Sequence, residues 1–196
     1  SRFASQFEAA RKSGSGWEKV LQQPGLRLGR TDPELDPKGY RTIMALELDG
    51  ARLGDPGLGR RILGPAGNPA QIFPEEQLVA RLQSGELDAG FFYTIEAVEA
   101  SLPYLRLPAE VNLGDPSRAA AYAKATYTTA KGAVVSGSPI EYTLTIPSTV
   151  RNRDGALAFA QFLAAPQGVR ILAAEGLTTF KPRFDGDLST VPAQLR

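Results

Sequence analysis

Residues 29–41 read GRTDPELDPKGYR, and few other stretches of the chain gather so many groups able to do chemistry. Asp32, Glu34 and Asp36 alternate with Pro33, Leu35 and Pro37, while Arg30, Thr31, Lys38, Gly39 and Arg41 flank them. Pro37 suits the first turn of a helix and Asp36 its N-cap, so the loop feeds a helix start whose leading amides lack intrahelical acceptors. Such a start can hold an anion. The same residues also make an ordinary capped surface turn, in which Asp36 only accepts from first-turn amides and Arg30 or Arg41 pairs with Glu34. A third chemistry is acid–base work by Asp32 and Asp36, whose proximity would separate their ionisations.

The elements around this loop follow from periodicity. Phe3, Phe7 and Ala10 predict a helix over 2–12, SGSG at 13–16 interrupts it, and WEKVLQQ resumes it. GLRLGRT predicts a short strand entering the loop, and GYRTIMALELDGARLG a helix leaving it. The glycine- and proline-rich residues 54–74 read as an excursion with one short helix, followed by a helix in PEEQLVARLQSGE that closes near Gly85. LDAGFFYT predicts a short buried strand, TIEAVEASL a helix and YLRLP a strand; AEVNLGDP is a loop leading to SRAAAYAKA. Three β-rich runs follow, YAKATYTTAKG, AVVSG and PIEYTLTIP. Two helices split by Pro166 come next, with Gly176 as the stop, and an irregular tail ends the chain. Alternation through residue 107 implies an α/β fold with a mostly parallel sheet flanked by helices. Ligands of such sheets sit beyond the carboxyl ends of strands, where GRTDPELDPKGYR falls.

Composition narrows the function. The chain has 196 residues, with Lys plus Arg 22 against Asp plus Glu 21, a formal charge of +1 that gives no polybasic field for nucleic acid. No Cys and no His occur, which removes thiolate nucleophiles, imidazole bases and the usual soft metal ligands. No apolar run approaches the roughly 20 residues of a membrane span. Phe91 and Phe92 read as core, Trp17 as core packing, and Glu96 and Glu99 as a solvated helix face.

GRTDPELDPKGYRT, GELDAGFFYTIEA, LRLPAEVNLGDP and SGSPIEYTLTIP, in this order and spacing, resemble the molybdate and tungstate binding proteins of ABC transporters. These belong to the type II periplasmic binding-protein superfamily, and the helices of RNRDGALAFAQFLAAPQGVRILAAEGL look like those that finish such proteins. The resemblance implies two α/β lobes with mixed, mostly parallel sheets, joined by crossover strands and closing on a tetrahedral oxyanion. It places residues 1–113 as the second, ligand-binding lobe and 114–196 as the return crossover and the C-terminal part of a first lobe. An opening segment would precede Ser1, so the first lobe is expected to be incomplete and the apolar surface left bare to favour self-association.

On this resemblance the function is that of a non-enzymatic receptor delivering molybdate or tungstate to an ABC permease. No cofactor is implied beyond the cargo, no nucleic acid is bound, and the membrane is approached through the permease alone, in the periplasm or outside the cell. The alternatives are a receptor for phosphate, sulfate or another small anion, and a ligand-sensing module of a transcription regulator. A fully ionised oxyanion needs donors: the amides of Lys38, Gly39 and Tyr40 and the Thr31 hydroxyl are the implied set, with Tyr93 beside them. Tyr142 matches the position where the family places a tyrosine facing the anion. In archaeal relatives the aspartate matching Asp36 ligates the metal centre together with a glutamate, and Phe92 stands where that glutamate would be. Asp36 or Asp32 could instead accept a proton from a monoprotonated anion, which favours phosphate.

Overall fold

The computed structural model describes residues 1–195 and divides into two compact units, Ser1–Ile140 and a second from Glu141 onward. The first unit opens with α1 (Ala4–Ser13) and α2 (Trp17–Leu21), separated at Gly14 and Gly16 as the sequence predicts. β1 (Leu28–Gly29) then leads through the charged loop into α3 (Pro37–Leu53). α4 (Leu58–Leu63) lies in the glycine- and proline-rich excursion, and α5 (Glu75–Gln83), β2 (Ala89–Gly90) and α6 (Thr94–Glu99) follow. After a 3-10 turn at Pro116–Arg118 come α7 (Ala119–Tyr122), β3 (Thr126–Thr128) and β4 (Val134–Ser136).

α3 organises this unit because it is apolar on two sides. Leu46 packs into one cluster with Trp17, Leu28, Leu58 and Ile62, while Met44 packs into another with Leu113, Tyr122 and Tyr127. Trp17 is buried as expected, and Phe91 meets it edge-on at 6.3 Å. The fold is α/β with small sheets: β1 pairs with β2 in parallel, Leu28 opposite Ala89, extended by a parallel bridge from Arg30 to Ile72. β3 and β4 form an antiparallel hairpin with Tyr127 opposite Val135.

Two predicted strands take no place in a ladder among the described residues. In YLRLP the alternation is real, since Leu105 and Leu107 both pack on the first cluster, but Pro103 and Pro108 bracket the run and no strand pairs with it. PIEYTLTIP has β-forming side chains with nothing to pair against, and Tyr142 and Leu144 are exposed. The strand predicted in LDAGFFYT is only Ala89–Gly90 and half-buried.

The second unit holds α8 (Arg153–Ala164) and α9 (Pro166–Ala174). Pro166 begins α9 rather than merely dividing the pair, as its fixed φ and missing N–H allow. Gly168 lies where a Cβ would stand 2.2 Å from the Phe162 carbonyl oxygen, so the absent side chain permits the close crossing of α8. Among the described residues no single helix is long and apolar enough to cross a membrane.

Candidate anion site

The loop from β1 to α3 is held largely by its own atoms. Asp32 Oδ1 accepts from the Glu34 amide at 2.9 Å, an Asx turn, and the amides of Leu35 and Asp36 both return to the Asp32 carbonyl. Asp36 is the N-cap of α3 with extended backbone, and its Oδ1 accepts from the Lys38 amide at 2.8 Å. The Gly39 amide donates to the Asp36 carbonyl at 2.9 Å. Two of the three amides expected to face an anion are therefore taken up by the cap.

Gly39 has a different neighbour from the one expected. A Cβ there would lie 2.6 Å from the Asp32 carbonyl carbon and the Pro33 nitrogen, so the missing side chain admits the chain's own loop. Tyr40 stacks on Tyr127 at 6.3 Å with 13° between the ring planes.

Two oxygens at this junction remain without partners. Thr31 is 2% exposed and its Oγ1 is buried with no hydrogen bond; Asp36 Oδ2 is likewise buried and unpaired. Buried polar atoms are mostly satisfied in folded proteins, so both oxygens are candidates for bonding an additional group, as are six further buried side-chain atoms elsewhere among the described residues. Thr31 offers a donor and Asp36 an acceptor.

Lys38 turns its side chain away from solvent. Its Nζ donates to Glu75 at 2.7 Å and to Glu96 at 2.6 Å, with the rings of Phe92 and Tyr93 at 5.4 and 5.7 Å. Burial draws the ammonium down, but the two carboxylate bonds outweigh it and hold the pKa above its ordinary value. The Lys38 bond holds Glu75 below the usual carboxylate range, while burial pushes Glu96 above it. Glu96 is thus an ion-pair partner rather than a solvated residue, and its other oxygen accepts from the Tyr93 amide at 2.7 Å to cap α6.

Lys38, Arg41, Thr42 and Ala45 lie along one stripe of α3 and line a cavity of about 70 Å³ closed by Phe92, Tyr93 and Asn112. Arg41 Nη1 donates to the Tyr93 hydroxyl, whose ionisation is pushed up by burial, so the arginine's partner is a neutral group. Arg30 is fully buried beneath the excursion, where its guanidinium donates to the Ala66 carbonyl at 2.6 Å. Neither arginine pairs with Glu34, whose carboxylate is bonded by Tyr127 and Ala130. Tyr142 stands on the second unit with 67% of its surface exposed.

The lysine–glutamate cluster had a signal in the sequence. A lysine in the first turn of a helix opposes the helix dipole, and Glu75 and Glu96 both stand in first turns, where the dipole favours acids. Arg30 gave no such signal, since burial of one arginine depends on the loop that folds over it.

Comparison with known proteins places the chain in a family. A protein of Haloferax volcanii named "Putative ABC transporter molybdenum-binding protein" is 43% identical over 150 residues, covering 76% of this chain and 46% of that relative. A molybdate/tungstate-binding protein of Pyrococcus abyssi is 32% identical over 180 residues, covering 82% of this chain and 52% of the relative. An uncharacterized solute-binding protein of Petrotoga mobilis is 32% identical over 190 residues, 94% of this chain and 59% of its own length. The chain thus spans about half the length of the curated relatives it matches. Residues 4–178 match the family described as bacterial extracellular solute-binding protein, and the chain belongs to that family.

Proposed function

We propose that this chain forms part of an extracytoplasmic receptor that binds a tetrahedral oxyanion, molybdate or tungstate, for delivery to an ABC importer. The observation that carries the reading is the pair of buried, unpartnered oxygens, Thr31 Oγ1 and Asp36 Oδ2, where β1 enters α3. The names of the Haloferax and Pyrococcus relatives support the cargo. The receptor acts by binding and release rather than catalysis, in the periplasm or at the outer cell surface, and meets the membrane through its permease. In this reading the protein closes two lobes on the anion, residues 1–113 supplying the ligand-binding lobe and 114–196 the crossover and return into the other.

The Asp36 oxygen narrows the cargo further. A bare carboxylate repels a dianion, so it belongs in the site only if it bonds the metal centre of the cargo or accepts a proton from it. Molybdate and tungstate satisfy the first condition, and monoprotonated phosphate satisfies the second. Phe92 supplies no second carboxylate, and of the loop's three acids Asp36 is the one with a buried, unpaired oxygen. Calorimetry on the protein at its full natural length, with molybdate, tungstate, sulfate and phosphate in turn, separates the cases. Tight binding of the first two with weak sulfate binding is expected. Preference for phosphate, lost in Asp36→Asn, favours the proton-accepting alternative, and flat titrations with all four remove the assignment.

A further inference from the structure

Glu34 lies in the middle of the loop that carries Thr31 and Asp36, yet its carboxylate bonds to a distant part of the chain. The Tyr127 hydroxyl donates to Oε1, and the Ala130 amide donates to Oε1 at 3.0 Å and Oε2 at 3.1 Å. Both partners belong to the β3–β4 hairpin and its turn, more than 90 residues along the chain. The hairpin has two more holds on this region. The buried Tyr127 ring stacks on Tyr40 in the first turn of α3, and the Thr126 amide donates to Glu47 Oε2 at 3.1 Å.

The donors are suited to a lasting clamp. Burial and the neighbouring Glu34 carboxylate push the Tyr127 hydroxyl up to about 12, so it remains protonated, and remains a donor, throughout the physiological range. The Ala130 amide needs an acceptor outside its own strand ladder because it sits in the turn between Thr129 and Ala133. Hydrogen bonds to a charged acceptor are about twice as strong as neutral ones. On its inner side the same loop is pressed against Gly39 at Asp32 and Pro33. The loop is therefore fixed from within by α3 and from without by the hairpin.

We propose that Glu34 is a positioning residue that couples the anion loop to the β3–β4 hairpin, holding Thr31 and Asp36 in register for the cargo. The inference rests on the anion reading given above for this loop. Glu34 acts through the loop and does not touch the ligand.

Glu34→Ala, Glu34→Gln and Tyr127→Phe test this in the protein at its full natural length, with tungstate as the probe. Calorimetry and stopped-flow read affinity and rates, and amide hydrogen exchange reads the Ala130 position with and without tungstate. Glu34→Ala is expected to weaken binding about 10- to 100-fold, the usual range for partners that orient a ligating group. The loss should appear in the dissociation rate. Tungstate should protect Ala130 in the wild type and fail to do so in Glu34→Ala. Glu34→Gln keeps an acceptor oxygen and should bind closer to wild type, whereas Tyr127→Phe keeps the ring stack and should weaken binding partway. Affinity and Ala130 exchange in Glu34→Ala equal to wild type overturn the proposal. If the wild type itself binds no oxyanion, the anion reading falls separately. Ala130 exchange in the unliganded proteins then still decides the clamp: faster exchange in Glu34→Ala sustains it, and equal exchange removes it.

Discussion

Asp36 caps α3 with one oxygen and, in the proposed reading, offers the other to the cargo, and two substitutions separate these tasks. Oδ1 caps α3, a contact worth about 1 kcal/mol that alanine removes and asparagine largely keeps. Asp36→Asn should therefore melt within a degree or two of wild type, roughly, given the size of a cap. It should nonetheless lose oxyanion affinity, because an amide NH2 group takes the place of the buried Oδ2 and can neither bond the metal centre nor accept a proton. Asp36→Ala should lose both, as calorimetry beside thermal melts would show. Gly39→Ala should destabilise the loop even without ligand, since the added methyl would meet backbone at 2.6 Å. The cap was legible in the sequence, from Asp-Pro before an apolar helix, because capping is local chemistry. The loss of the Lys38 and Gly39 amides to that cap was not, because the string does not tell whether an N-terminal amide turns to a ligand or to its own N-cap.

At the scale of elements, two charge contacts join segments distant in the chain. Arg27 donates to Asp88 through its amide at 3.0 Å and its Nε at 2.9 Å, tying the approach to β1 to that of β2, and these bonds hold the Asp88 carboxyl at about 2. A carboxyl depressed below its unfolded value near 3.9 contributes stability that is present above that value and lost as pH falls through the folded one. Asp88→Asn should thus be less stable than wild type at neutral pH by on the order of 1 to 2 kcal/mol, allowing for screening at the half-exposed arginine. Denaturant titrations should show that gap closing between about pH 4 and pH 2. The second contact is the Lys38 cluster, which joins the starts of α3, α5 and α6. Lys38→Met leaves the part-buried Glu96 without its cation and should cost on the order of 3 kcal/mol in the same assay. Helices were readable because 3.6-residue periodicity is local to each segment. YLRLP and PIEYTLTIP show the opposite case, since β-forming side chains make a strand only where another strand arrives to pair.

At the scale of the whole molecule, the second unit carries much exposed apolar surface. Phe159, Ile171, Phe180 and Leu188 are each between 47% and 55% exposed, and α8 buries little beyond Ala160. Surface of this kind favours association, so static light scattering on this chain should give a mass above 21.0 kDa that falls with dilution. A constant monomer mass would contradict that expectation. The absence of Cys and His removes thiolate and imidazole chemistry, and the matched family is one of solute-binding proteins. The position of the cargo is the point on which the functional account turns, and tungsten scatters strongly enough to be located directly. Anomalous difference maps from crystals of the full natural-length protein grown with tungstate should show one strong peak within bonding reach of Thr31 Oγ1 and Asp36 Oδ2. A peak elsewhere, or none at saturating tungstate, would contradict the account.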